Sequence, residues 1–184
     1  MSDDLHREKS ERFVHLMPEL RRIADGYLGR RGPGHTLSPT ALVDDAYFAF
    51  VTRNVPVGSS EDESRYILAQ LLWRVMIDHF RSKRRQKNGG HLKRTTLVTD
   101  VGEAPRALVD PLELDLGFES VEKRFGVRRR KVAEMKLLAG MTSKQIGLVL
   151  GISASTVRDD WKLVRAYLCV FLGPGDSVDD ERPN

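Results

Sequence analysis

The sequence predicts an all-α fold: two small helical domains joined by a flexible linker, the C-terminal one a helix-turn-helix. Three observations support this prediction. Apolar residues recur at helical spacing through most of the 184 residues. Clusters of Gly, Pro and Asn interrupt the pattern at 29–35, 54–60 and 88–90. A polar stretch with no sustained period, residues 91–111, separates an N-terminal from a C-terminal set of helices.

The N-terminal part predicts three helices. The first covers 5–28, and Pro18 divides it into two helices or kinks it as one. The second begins after Ser38, a residue type that caps helices, with Pro39 at its first position, and ends near Arg53. Its inward side is predicted to include Ala46 with Tyr47.

The third predicted helix is the longest and runs from near Ser60 to about Lys87. Three acids fill its first turn and basic residues its last, as the helix dipole favours. Residues 64–94 carry nine Lys or Arg against one acid, and residues 118–172 carry eleven against five. Two basic blocks separated by an acidic stretch indicate two surfaces that meet a polyanion.

The C-terminal part predicts two helices that lead into the helix-turn-helix of residues 142–158. Thr142 and Gln145 form a capping-box pattern, Gly151 stands where the chain must turn, and Ser153 caps the next helix. Apolar positions recur along that last helix at Val157, Trp161, Val164 and Leu168. Basic residues fall on a different face: Arg158, Lys162 and Arg165. This arrangement is typical of a helix that enters a DNA major groove.

The cysteine count and the distribution of apolar residues exclude several classes of protein. Cys169 is the single cysteine, which excludes a disulfide within the chain and any Cys-based metal site. No apolar run approaches the length of a membrane span, and the N-terminus lacks the apolar core of a signal peptide. We therefore expect a cytoplasmic protein with no cofactor, no metal and no membrane contact. The acidic tail, 173–184, is predicted to be disordered.

A catalytic reading finds little support. The two conspicuous pairs of titratable residues are Asp44 with Asp45 and Asp78 with His79. Adjacent positions on a helix point about 100° apart, so neither pair shares one ligand or one proton readily. We do not expect an enzyme.

Four segments, in this order, carry a resemblance to a known family: 18–24 (Pro-Glu-Leu-Arg-Arg-Ile-Ala), 31–43, 73–81 with its Ile-Asp-His and basic tail, and the helix-turn-helix. The chain resembles an extracytoplasmic-function (ECF) sigma factor of bacterial RNA polymerase over about residues 10–172. The resemblance implies a protein that binds core polymerase and directs promoter-specific initiation. It also leaves open whether an anti-sigma factor acts on this chain.

The resemblance further implies a division of the chain. Residues 1–90 would bind the clamp coiled coil of core polymerase and recognise and melt the minus-ten element. Residues 91–111 would be the linker, and 112–172 would read the minus-thirty-five element. The polymerase flap is a further partner surface that the resemblance implies. The following assignments of residues also come from the resemblance. Polymerase binding falls on Asp44, Asp45 and Phe48. Minus-ten recognition and melting falls on Tyr66, Trp73, Arg74, Arg81, Lys83, Arg84, Arg85 and Lys87. Minus-thirty-five reading falls on Ser153, Ala154, Ser155, Thr156, Arg158, Asp159, Lys162 and Arg165.

Residues in the preceding helix, Arg128 to Lys131, would touch backbone phosphates. Asp159 departs from the family pattern, in which a basic residue is usual, and this puts the promoter sequence in doubt. Trp73 has an alternative role as a core residue. The alternative for the whole chain is a stand-alone helix-turn-helix regulator that binds duplex DNA without polymerase. A DNA-processing enzyme is the third reading, but it would need clustered carboxylates or a nucleophile with its base.

Overall fold

The computed structural model describes residues 2–28, 37–53, 55–56, 58–86, 97–99 and 107–173. These residues form an all-α fold with one short two-stranded ladder. The all-α class is confirmed, and the flexible linker between two domains stays a prediction. In chain order the elements are α1 (Ser2–Leu28), α2 (Pro39–Thr52), α3 (Glu61–Gln86), β1 (Leu97–Thr99), β2 (Ala107–Val109), α4 (Pro111–Phe125), α5 (Val127–Leu137), α6 (Ser143–Leu150) and α7 (Ala154–Leu172).

Helices α1, α2 and α3 pack around one apolar core, which we call the N-terminal unit. Phe13 of α1 packs its ring against Phe50 of α2, and Leu72 and Met76 of α3 are fully buried. Of the two alternatives for the first segment, the structure has one helix, with an exposed Pro18 inside it. Arg65 joins α3 to α1 through an ion pair with Glu19 at 2.9 Å.

The helix starts follow from local chemistry. The Ser38 hydroxyl accepts a hydrogen bond from Ala41 N at 3.1 Å, and Pro39 occupies the first turn of α2. At α3, Ser60 Oγ accepts from Glu63 N at 3.1 Å. The Glu63 carboxylate accepts from the hydroxyl and the backbone N–H of Ser59, and these bonds lower the pKa of Glu63.

Helices α4 to α7 form the C-terminal unit. Asp110 caps α4 by accepting from Leu112 N at 2.8 Å, and Gly126 at φ 86° separates α4 from α5. Leu114 and Phe118 of α4 are almost fully buried in the core of this unit. The other buried apolar side chains of its core include Val121, Val132, Met135, Ile146, Val157, Val164 and Leu168.

The segment between the units differs from the prediction in part. Residues 97–99 and 107–109 lie within the predicted linker, where a short strand at 95–99 was one alternative, and they pair as antiparallel strands with Leu97 opposite Val109. Both trios are mainly apolar or β-branched, as strands prefer, and Val109 is buried. The predicted loop at 29–35 and the predicted tail at 173–184, apart from Gly173, lie outside the described residues.

The two units lie against each other, with α3 packed on α4 and α6. The Tyr27 hydroxyl of α1 donates to the Leu138 carbonyl at 2.9 Å, and the Trp73 ring meets Phe118 edge-on at 6.0 Å between centroids. The division of the chain into domains at 90 and 111 stays a prediction.

Candidate nucleic-acid interfaces

The helix-turn-helix is held by caps at both ends of its turn. Thr142 and Gln145 form a reciprocal capping box at the start of α6. Gly151, at φ 66°, ends α6 in the left-handed region that disfavours side chains. Ser153 Oγ then accepts from Thr156 N at 3.1 Å to begin α7. The turn and the direction of α7 are therefore fixed by local hydrogen bonds.

Gly147 sets how closely the turn approaches α6. A Cβ atom at this position would lie 2.7 Å from the Ile152 carbonyl oxygen. The Ile152 N–H donates to the Gly147 carbonyl at 3.0 Å. The absent side chain thus lets the turn close onto the helix.

Helix α7 presents two basic side chains on its solvent face. Arg158 and Lys162, one turn apart, are exposed, and so are Ser155 and Asp159. Arg165 is half-buried. Arg158 and Lys162 can donate to guanine edges or to phosphates, and Asp159 can accept from cytosine.

The other predicted reading residues are engaged at the helix start. Ser153 Oγ lies 2.7 Å from Ser155 Oγ and 2.8 Å from Thr156 Oγ1. Ala154 is half-buried in the same turn. Ser153 therefore acts first as the N-cap of α7, and Thr156 donates its N–H to that cap.

One residue that sequence reasoning missed is Asp160, which is 3% exposed and lies on the buried side of α7. Its carboxylate accepts from Arg128 Nε at 2.9 Å and from Arg129 Nε at 2.8 Å. Trp161, predicted on this face, is only partly buried. The sequence did contain a signal for this contact. Asp160 lies at helical spacing from the buried Val157 and Val164, and two adjacent arginines stand in the preceding helix.

The four basic residues at the start of α5 differ in their contacts from the predicted role of touching DNA phosphates. Arg128 and Arg129 share Asp160, while Arg130 donates to Glu122 at 2.6 Å and to Glu134 at 2.7 Å. Lys131 is exposed. The structure thus commits the Nε–H groups of the three arginines to acids of the same unit.

The predicted melting residues of α3 fall into two groups. Arg74, Arg84 and Arg85 are exposed, Arg81 is half-exposed and Lys83 is half-buried, whereas Lys87 lies outside the described residues. Tyr66 and Trp73 are 7% and 4% exposed. The expectation that these two rings offer flat surfaces to unpaired bases does not fit this arrangement, because the C-terminal unit covers them.

The covering contacts are specific. The Tyr66 hydroxyl and Gln70 Nε2 each donate to Glu134 Oε2 at 2.7 Å. Trp73 Nε1 donates to Asp115 Oδ1 at 2.9 Å, and Arg81 Nη2 donates to Asp115 Oδ2 at 2.9 Å. Burial, and then the charge of Glu134 and its hydrogen bond, raise the pKa of Tyr66 well above its ordinary value.

The predicted polymerase-binding residues share one open surface on α2. Asp44 and Asp45 are exposed, and the Phe48 ring is 70% exposed. Tyr47, predicted to face inward, is instead 38% exposed and lies with its ring edge against Phe13. A large exposed aromatic ring beside two carboxylates is the kind of patch that marks a protein partner.

Neither a metal site nor a membrane span is found in the parts of the chain just described. Within the described ranges, no three His, Cys, Asp or Glu residues group at metal-binding distance. No described helix is both long enough and apolar enough to span a bilayer.

Comparison with known proteins gives one structural likeness and one family. The chain is similar to the sigma factor RpoE in its co-crystal structure with the anti-sigma factor NepR from Bartonella quintana, with 14% identity and a TM-score of 0.41 over 90% of this chain and 97% of that one. No curated protein matches the chain. The family model described as ECF sigma factor matches residues 3–172. The chain therefore belongs to the ECF sigma factor family, and it is a sigma factor that binds core RNA polymerase and directs promoter-specific initiation.

Proposed function

We propose that the two units divide the work of initiation. The N-terminal unit binds core polymerase and opens the minus-ten element, and the C-terminal unit reads the minus-thirty-five element as a duplex. The observation that carries this proposal is the capped helix-turn-helix, whose second helix presents exposed Arg158 and Lys162. Such a helix is built to enter a major groove.

Polymerase binding is assigned to the surface of Asp44, Asp45 and Phe48. The carboxylates favour approach of a basic surface, and the exposed Phe48 ring supplies apolar area to bury on contact. The clamp coiled coil is the proposed partner of this surface, and the flap is the proposed partner of the C-terminal unit. The exposed bases of α3, Arg84 and Arg85, would hold phosphates of the opened strand and give affinity without sequence choice.

The protein acts as a non-enzymatic factor in the cytoplasm, where core polymerase works. An anti-sigma factor is a further proposed partner, on the ground that the chain belongs to the ECF sigma factor family.

In vitro transcription on genomic fragments, with start sites mapped, tests the proposal. Replacing Arg158 and Lys162 with Ala removes two contacts worth about 1–3 kcal/mol each, so promoter-specific transcripts should fall about tenfold or more. Capture of core polymerase should not change. The matched control is Lys123→Ala, which removes an exposed base of α4 away from the reading helix.

The reverse pattern is expected on α2. Asp44→Lys with Asp45→Lys should abolish capture of core polymerase, while Asp25→Lys, on the exposed side of α1, should retain it. Equal behaviour of the α2 and α7 variants in a pull-down with core polymerase would refute the division of labour.

A further inference from the structure

Two adjacent carboxylates on α7 lie in opposite environments. Asp160 is buried, and both of its oxygens accept hydrogen bonds from Arg128 and Arg129. Asp159 is exposed, and its carboxylate makes no hydrogen bond or ion pair with any residue that the structure describes. The contacts of the C-terminal unit therefore account for Asp160 and not for Asp159.

The local chemistry of the helix does not account for Asp159 either. The N-cap of α7 is Ser153, and Asp159 is the sixth residue of the helix, beyond the first turn in which the helix dipole favours a carboxylate. Lys162 lies three positions further on, where a helical ion pair could form, but the two side chains are not paired in the described part of the chain.

Asp159 lies on the surface that α7 presents to solvent beside its basic side chains. Ser155, Asp159 and Lys162 follow the i, i+4, i+7 spacing of one helix face. Arg158 stands next to them, and all four residues are exposed. Asp159 lies about 8 Å along the axis from the start of α7, in the part of such a helix that contacts base edges in a major groove.

A carboxylate in the major groove needs a hydrogen-bond donor there, because the phosphates of both strands repel it. The base edges offer two amino donors, N4 of cytosine and N6 of adenine. Adenine places its N7 acceptor beside that donor, and the edges of guanine and thymine present acceptor oxygens, which repel a carboxylate. Cytosine is therefore the base that a carboxylate selects, by attraction to N4 and by repulsion from the other three.

We infer that Asp159 is a specificity-determining residue of α7 and that it selects a cytosine in the minus-thirty-five element. This inference rests on the proposed function of the C-terminal unit. Arg158 and Lys162 attract phosphates and guanine edges, whereas Asp159 weakens binding to every sequence that does not offer it a donor. The exposed acid thus converts general affinity for duplex DNA into a preference for one base.

The test uses holoenzyme assembled from core polymerase and the full chain, on a library of one mapped promoter with its minus-thirty-five element randomised. Sequencing of barcoded transcripts gives the base preference at each position for each variant. At one position the unaltered chain should prefer cytosine about tenfold over the other bases, equivalent to about 1.4 kcal/mol. Asp159→Ala should lose that preference and keep the preferences at the other positions.

Asp159→Asn gives the sharper outcome. The asparagine side chain has the same shape, but it carries one acceptor and one donor, which together match N6 and N7 of adenine. The preferred base at the same position should therefore change from cytosine to adenine. The matched control is Glu119→Ala, which removes an exposed carboxylate of α4 and should leave every preference unchanged.

Charge repulsion without base reading gives a different result. It would raise transcription from all library members by the same factor in Asp159→Ala and change no base preference. That result, a cytosine preference that survives Asp159→Ala, or the same shift in Glu119→Ala would overturn the inference.

Failure of the proposed function is read separately, from Arg158→Ala with Lys162→Ala. If that variant selects the same bases as the unaltered chain, α7 does not read the minus-thirty-five element. If it loses selection while Asp159→Ala changes no preference, the proposed function stands and the role of Asp159 is refuted.

Discussion

Gly147 offers a sharp test of how the reading helix is positioned. In Gly147→Ala the new methyl group would meet the Ile152 carbonyl oxygen at 2.7 Å and the Ala154 nitrogen at 3.5 Å. The carbonyl belongs to the turn that Gly151 and Ser153 fix from either side, so it cannot retreat without moving the start of α7. The substitution therefore strains the turn.

The expected change in the free energy of unfolding of Gly147→Ala is the difference between two opposing contributions. Overpacking against backbone in a well-packed site costs about 1–3 kcal/mol, and a 2.7 Å approach belongs at the upper end. Alanine in a helix gains about 1 kcal/mol over glycine. The free energy of unfolding should fall by about 2 kcal/mol, and Tm by about 4–8 °C for a chain of this size.

The matched control is Gly26→Ala in α1, where a Cβ atom meets nothing within 4 Å. Only the helix-propensity gain of about 1 kcal/mol applies there, so Tm should rise by about 2–4 °C. Thermal unfolding followed by circular dichroism measures both. If Gly147→Ala were neutral or stabilising, like its control, the close approach of turn and helix would be refuted.

Three further outcomes follow from the contacts described. Burial raises the pKa of Tyr66 above the value of about 10 that it has in the unfolded chain. The folded protein is therefore stabilised by the neutral phenol in full below about pH 10, and this contribution to the free energy of unfolding is lost as the pH rises further. In urea titrations at several pH values, Tyr66→Phe should reduce this loss of stability at alkaline pH. Asp160→Ala should lower the free energy of unfolding by about 1–3 kcal/mol by removing the shared acceptor of two partly exposed arginines, while the exposed Asp159→Ala should stay within about 0.5 kcal/mol. Replacing Arg84 and Arg85 with Ala should lower the salt dependence of strand binding by about 1.4 in log–log slope, measured by fluorescence anisotropy at several salt concentrations.

Local signals in the sequence were sufficient for the helices. Ser38 with Pro39, Thr142 with Gln145, and Ser153 are short-range patterns, and each marks the start of a helix in the structure. Capping needs residues only three positions apart, so a single sequence carries the information.

The same local patterns could not predict which polar side chains contact each other in the folded protein. Glu134 and Tyr66 are 68 positions apart, and nothing in the period of either helix indicates that they meet. Asp160 was missed for a different reason: it differs from Trp161 by one position, and the period of a helix leaves both near the edge of the buried stripe. Tertiary contacts decide such positions.

The packing of α3 against both units has a consequence for building chimeric sigma factors. A graft that takes residues 111–172 from another family member would discard Asp115 and Glu134 but keep Tyr66 and Trp73. The incoming helices would then have to supply acceptors for the Tyr66 hydroxyl and the Trp73 indole, or these donors would be buried without partners. Transplanting α3 together with the helices that follow it keeps Tyr66 and Trp73 with their acceptors but separates Arg65 from Glu19 of α1. A junction on either side of α3 therefore breaks one set of contacts.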